Sequence, residues 1–148
     1  MMELTKAGTS DVLVLNSISK RAFHSDIVVG ASSKTGPPGY MSASFHIKMA
    51  KTNNLYKLLV DGRIVGGAIL FVNGLQLNIG RIFVDPEYFR KGYGIFMMQE
   101  IERIFSDVKQ IFLDTLVWNV RTKAFYQKLG YIENKKDEEF IYYIKKIN

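Results

Sequence analysis

The stretch that most constrains this chain runs from Arg81 to Ile95: Arg-Ile-Phe-Val-Asp-Pro-Glu-Tyr-Phe-Arg-Lys-Gly-Tyr-Gly-Ile. It opens as an apolar strand that Pro86 ends, because proline has no N–H to give a ladder. It closes as a helix, with Met97, Ile101, Ile104, Phe105 and Val108 recurring at helical spacing, out to about Val108. The turn between them holds Arg90, Lys91, Gly92 and Gly94, and no Ser, Thr, Asp or Asn placed to cap the helix. The first helical N–H groups are therefore left for an outside acceptor. The glycines let it approach the backbone, while the basic pair and the helix dipole add positive potential. Such a turn is a cradle for a pyrophosphate. An ordinary solvated strand-to-helix turn has a similar composition, so the glycines alone do not decide. Two common phosphate loops are excluded. No Gly-x-x-x-x-Gly-Lys-Ser/Thr run exists, and Met97 stands where a dinucleotide fingerprint needs a third small residue.

The 148 residues are about one domain's worth, and a 47% apolar fraction suffices for a sizeable core. Cysteine is absent, which removes disulfides, thiolate metal sites and a covalent cysteine intermediate. This fits a reducing cytosol, and a cytoplasmic location is expected. No apolar run is long enough to span a membrane, and the first residues lack a basic-then-apolar leader. The net charge of +6 favours an anionic partner without choosing among nucleic acid, acidic protein and polyphosphate.

Taken in order, Glu3 to Ala7 reads as a short strand. A helix follows, capped by Thr9, Ser10 or Asp11, with Val12, Leu15, Ile18, Ser19, Ala22 and Phe23 on one face. Ile27 to Tyr40 is a loop rich in Gly, Ser and Pro, and a short helix is expected after Ser42. Asp61-Gly62 and Asn73-Gly74 are strong hairpin signals, so antiparallel strands lead into the cradle. Gly66-Gly67 marks a bulge or a close backbone approach. Gln110 to Val117 reads as a buried strand interrupted by one charge, Asp114. Asn119 to Leu129 is a helix closed by Gly130. Tyr131 to Glu133 and Phe140 to Ile144 are the last strands, joined by a charged turn. No repeat or linker is found, which makes one domain of residues 1–148 the expectation. His24 and His46 lack neighbours at ligand spacing, so both read as packing or surface residues and no metal is expected.

Val84-Asp85-Pro86 followed by Phe89-Arg90-Lys91-Gly92-Tyr93-Gly94 resembles motif A of the GNAT N-acetyltransferase superfamily, Gln/Arg-x-x-Gly-x-Gly/Ala after a Val-x-Pro strand end. Phe89 departs from the Gln/Arg of the pattern, which puts a side-chain contact from that position in doubt; Arg90 is the neighbour able to replace it. Asn119, Tyr126 and Gly130-Tyr131 are similar to the family's second signature, Asn-x-x-Ala-x-x-x-Tyr-x-x-x-Gly-Phe, with Thr122 for the first Ala and Tyr131 for Phe. The resemblance implies an α/β (α+β) GNAT fold. Its sheet of about seven strands is mixed and mostly antiparallel, with helices on both faces. The order is β-α-α-β-β-β-α-β-α-β-β, and the cradle strand splays from the Asp114 strand to leave a slot for pantetheine. It also implies an acetyl-CoA-dependent N-acetyltransferase, with transfer in a ternary complex and an unidentified amine acceptor.

By that resemblance the backbone of Ile82, Phe83 and Val84 holds pantetheine, and Arg90, Lys91, Gly92, Tyr93, Gly94 and Ile95 hold the pyrophosphate. Asn119 positions the arm, Tyr126 protonates the leaving thiolate, and Asp114 is the best available base. The bare chemistry agrees in kind. A lysine-like ammonium, pKa near ~10.4, must lose a proton before it attacks. An oxyanion wants a backbone N–H, and a thiolate wants a proton donor. The plain alternatives stand beside these roles: Tyr126 as a core aromatic, Asn119 as a helix N-cap only, Asp114 as a structural carboxylate. Other family members carry a glutamate where Asn78 stands, and Asn78 cannot serve as a base; Glu87 or an acid of the last hairpin, reached through water, is the fallback. Asp137, Glu138 and Glu139 either draw in a cationic amine or solubilise a turn. Gly36 to Tyr40 either shapes the acceptor pocket or connects rigidly. Dimers are common in the family, and the last strand is expected to be an edge free to pair. Two rivals remain: a non-catalytic acyl-CoA sensor on the same fold, and a nucleic-acid-binding domain. The scattering of basic residues speaks against the second, and no nucleic acid or membrane partner is expected.

Overall fold

A computed structural model describes residues 1–147. Strand β1 (Met2–Lys6) is followed by α1 (Val12–His24) and α2 (Ala43–Lys51), then β2 (Leu55–Val60), β3 (Arg63–Asn73) and β4 (Gln76–Val84). Helix α3 (Tyr93–Ile104), β5 (Gln110–Leu116), α4 (Val120–Lys128), β6 (Ile132–Lys136) and β7 (Phe140–Lys146) complete the chain. This is the element order expected. The strands form one sheet in the order β1-β2-β3-β4-β5-β7-β6. All neighbours are antiparallel except β4 and β5.

Each face of the sheet buries its own apolar layer, as a two-sided sheet must. Leu15 and Ile18 of α1 and Met49 of α2 pack on Leu55, Ile69 and Phe83. On the other face Met97, Met98 and Ile101 of α3 meet Leu58, Leu77, Ile111 and Tyr143. The α1 face follows its sequence period, since Val12, Leu15, Ile18, Ser19 and Ala22 are all buried. Its start does not follow the simple cap. Thr9–Asp11 makes a 3-10 turn, and the Asp11 carboxylate turns back to accept from Gly8 N–H and to pair with Lys57, each at 2.9 Å. Ser42 does cap α2, its Oγ accepting from Phe45 N–H at 3.2 Å.

Two bulges shape the strands that lead to the cradle. Pairing slips between β2 and β3 so that Val65 is the extra residue. Here Gly66 and Gly67 are required by close approach. A Cβ on Gly66 would stand 2.6 Å from the Phe83 carbonyl oxygen, and one on Gly67 would stand 2.8 Å from both Tyr56 O and the Phe83 ring. Pairing slips again between β3 and β4, where Ile69 faces Arg81 but Leu70 faces Ile79, leaving Gly80 extra. A bulge changes which residues face which side. Leu77 and Ile79 before it, and Ile82 and Val84 after it, pack with the α3 layer, whereas Phe83 joins the α1 layer.

Four sequence expectations need correction. Helix α3 ends at Ile104, not near Val108. Phe105 leaves the helical region (φ −104°, ψ 41°), and a turn closed by Val108 N–H on Phe105 O carries buried Val108 toward β5. The β3–β4 turn is centred on Gly74-Leu75, not Asn73-Gly74. Asn73 pairs with Gln76, and only Gly74 has positive φ (62°), the pattern of a turn with glycine first. Asp61-Gly62, by contrast, has φ of 50° and 81°, as a type I′ turn demands. β5 is not buried on both sides. Ile111, Leu113 and Thr115 point inward, but Phe112 and Asp114 are exposed, because the α1–α2 layer that covers that face of the sheet includes no residue of β5. Finally, β7 is no edge, since it lies between β5 and β6. The edge at that end is β6, exposed throughout and charged at Glu133, Lys135 and Lys136, a composition that discourages strand addition.

Candidate functional site

The parallel pairing of β4 and β5 stops at Asn78–Phe112, so the β4 edge from Ile79 onward has no strand partner on that side. Below the gap the chain turns into α3. Asp85 is buried and fixes this turn, accepting from Glu87 N–H at 3.1 Å and pairing with Arg21 at 2.6 Å. Arg90 then adopts a left-handed conformation (φ 65°), which costs a non-glycine residue roughly 1–2 kcal/mol. Gly92 does the same at φ 80° and serves as the N-terminal boundary of α3 with no side-chain cap. The first main-chain bond of the helix is Phe96 N–H to Gly92 O at 3.0 Å, so the amides before it face out of the helix. Space above Gly92 is open, since an added Cβ would meet nothing within 4 Å. Gly94 is small for another reason, because its Cβ would press on the Phe125 ring of α4 at 3.3 Å.

These amides open into a cleft of about 500 Å³. Ile82, Phe83 and Val84 form one wall, Arg90 and Gly92 to Ile95 the floor, and Arg121, Phe125 and Tyr126 the opposite wall. Lys91 lies exposed beside it. Phe89 lines the mouth, and the Arg121 guanidinium rests 5.2 Å from its ring centroid, where a cation is attracted by the ring face. Arg121 also donates to Asp26 at 2.8 Å. An uncapped helix start, an open glycine and two guanidinium groups, Arg90 on the floor and Arg121 on one wall, suit a pyrophosphate.

A second cavity of about 470 Å³ lies across the gap, on the side of α1 and the loop before α2. Gly80, Arg81 and Ile82 bound it on β4, and Leu113 to Leu116 on β5. Thr35 to Pro38 and Glu139 complete the rim. Phe23, Asp26, Ile82, Thr122 and Tyr126 line both cavities, so the two meet at the splay. A shallower depression beyond Leu116 and Trp118 carries Asp137, Glu138 and Glu139.

The side chains singled out in the sequence converge here. Asn119, 5% exposed, caps α4 by accepting from Thr122 N–H at 3.2 Å. Tyr126 is 6% exposed, packed among Phe125, Tyr131 and Tyr143. Burial first, and the Asp114 charge second, push its phenol well above the ordinary value, so it stays protonated. Asp114 is open to solvent, yet the cavity walls thin its hydration. That loss first, and Asp137 second, raise its pKa. Asp26 and Arg121 were not assigned from sequence. They lie far apart in the chain, Asp26 in a segment without periodicity, and only the fold brings them together. The Asp26 pKa is raised by burial, with Arg121 and Asn119 opposing.

Comparison with known proteins agrees with this geometry. The family model described as Acetyltransferase (GNAT) family matches residues 26–131. Curated protein sequences yield no match. Among solved structures, the PaiA N-acetyltransferase of Thermoplasma acidophilum in complex with coenzyme A superposes with a TM-score of 0.84 at 17% identity, covering 99% of both chains. The ribosomal-protein-S18-alanine N-acetyltransferase of Escherichia coli gives 0.78 at 19% identity, covering 100% of this chain and 95% of that one. An acetyltransferase of Thermus thermophilus gives 0.80 at 12%, covering 99% of this chain and 97% of that one. At these identities the likeness is one of fold; it is the family match over residues 26–131 that makes this chain a member of the GNAT acetyltransferase family.

Proposed function

We propose that residues 1–148 form one catalytic domain that moves an acetyl group from acetyl-CoA to a primary amine while both are bound. The observation that carries this is the meeting of two cavities at Ile82 and Tyr126, one floored by an uncapped helix start and the other by Asp114. The unpaired β4 edge at Ile82 to Val84 offers main-chain groups to the pantetheine arm. Arg90, Lys91 and the amides of Gly92 to Ile95 face the pyrophosphate, and Asn119 fixes the start of α4 beside the arm. The C–N bond forms as the C–S bond breaks. Asp114, its pKa raised toward the working range, takes the proton that the ammonium must lose, directly or through water. Tyr126, held protonated, gives its proton to the departing thiolate and regains one from the nitrogen, which must shed its second proton as the amide forms.

Calorimetric titration with acetyl-CoA, with ATP and NADH as controls, tests the first half. Release of free thiol in the presence of amines tests the second. Binding of acetyl-CoA alone with amine-dependent thiol release is expected. Binding without turnover of any amine would leave a sensor, and no binding by folded protein would remove the cradle.

A further inference from the structure

Arg81 is the cation of the acceptor cavity that lacks an anion. It lies just past the Gly80 bulge, half-buried, on the rim of the 470 Å³ cavity. One terminal nitrogen donates to the Pro38 carbonyl, and the guanidinium plane stands 4.6 Å from the Phe45 ring centroid. The other terminal nitrogen, Nη1, is buried and has no hydrogen-bond partner. Among the described residues no carboxylate is within ion-pairing distance of it. The other cavity-lining cation question is already answered, since Asp26 is held by Arg121, which leaves no spare acid on this side. Burial lowers the Arg81 pKa, but a guanidinium does not give up its proton. Nη1 is itself shut off from the cavity, so a ligand there meets the remainder of the Arg81 side chain, whose charge no carboxylate of the described residues pairs.

Besides Asp26, which Arg121 holds, the carboxylates of the cavity are Asp114 on β5 and Glu139 just before β7, whereas Arg81 belongs to β4. The cavity thus has a positive side and a negative side. We infer that the acceptor is a small amino carboxylic acid, its carboxylate seated against Arg81 and its amine directed to Asp114. This rests on the acetyltransferase reading above and names the substrate class of the same site. The cavity has room for such a ligand.

The experiment compares the common free L-amino acids with their α-amides as acceptors, read by thiol release, beside calorimetric binding of acetyl-CoA. An acid should be preferred over its amide by about 10- to 100-fold in kcat/KM, the range of a charge-assisted hydrogen bond. Arg81→Gln should collapse that ratio toward one, and Arg81→Lys should keep part of it. If Arg81 only clasps the Pro38 loop to Phe45, Arg81→Gln lowers acid and amide alike and the ratio survives, which overturns the inference. Equal use of acids and amides, or use of neither, by protein that binds acetyl-CoA also overturns it and leaves the cofactor cleft standing. Failure to bind acetyl-CoA at all overturns the acetyltransferase reading itself, so the two failures are distinguishable.

Discussion

The two cavities are built in opposite ways. The cofactor cleft takes its floor and one wall from a single run, Ile82 to Ile95, and adds one face of α4 with Ala22, Phe23 and Asp26 at and just beyond the end of α1. The acceptor cavity draws on α1, the loop before α2, β4, β5 and the turn before β7. A site made from contiguous chain depends on local conformation, such as a left-handed Gly92 and an uncapped helix, and so it leaves a readable pattern. A site assembled from distant segments depends on packing, and its chemistry can change with any one of them. The difference teaches where a fixed task and an adjustable one can be placed on the same sheet.

Four experiments break or sharpen that contrast. The largest effect is expected at the junction. Tyr126→Phe removes the proton donor but keeps the ring among Phe125, Tyr131 and Tyr143, so kcat should fall about 10²- to 10⁴-fold with acetyl-CoA affinity nearly unchanged. Parallel loss of both would make Tyr126 a packing residue. Next, Gly92→Asp forces a side chain into φ 80° and sets a negative charge where the phosphates would sit. Acetyl-CoA Kd should rise at least about 10-fold from the repulsion between that charge and the phosphates; an unchanged Kd would detach the cradle from the function. Phe89→Gln loses the ring beneath Arg121, and Kd should change only about 2- to 5-fold, the scale of an exposed cation–π contact. A much larger loss would show that Phe89 itself seats the cofactor.

The smallest expected change concerns pH. Asp114 acts as a base only when ionised, and lost hydration and Asp137 raise its pKa. The rate should therefore climb with pH along a limb displaced above the usual carboxylate range. Asp137→Asn removes the charge yet leaves an Oδ1 to accept from Glu139 and Phe140 N–H, so the limb should move to lower pH. A limb that stays put would assign it to another group. The same shift bears on stability. A carboxyl whose folded pKa is raised favours folding while protonated, and that contribution is lost as pH rises from the unfolded value through the folded one.

What was legible in the sequence follows the same division. Asn119 caps α4 as expected, because a short oxygen-bearing side chain before a periodic run has few other uses, and Ser42 caps the short helix that was expected after it. The element order followed from hairpin glycines and from periodicities that change at Pro86 and Asn119. Strand β5 was read as buried throughout, because an apolar strand looks the same whether or not a helix covers its second face. The Asp26–Arg121 pair was invisible, since nothing local links its members. The position of β7 inside the sheet was invisible too, because strand order is decided by tertiary packing and not by the residues of the strand that moves inward.

Gly80 shows how one inserted residue can act as a change of phase. Before it, even and odd positions of β4 address one pair of surroundings; after it, the assignments are exchanged. Because of that exchange, Arg81 borders the second cavity while Ile82 and Val84 pack with the α3 layer. A chain shortened by this one residue would keep every functional side chain and present those of β4 to the wrong compartment, much as a dropped nucleotide keeps a message and loses its sense. Such a deletion should abolish acetyl-CoA binding and acceptor choice together, an outcome no single side-chain replacement in either cavity should reproduce.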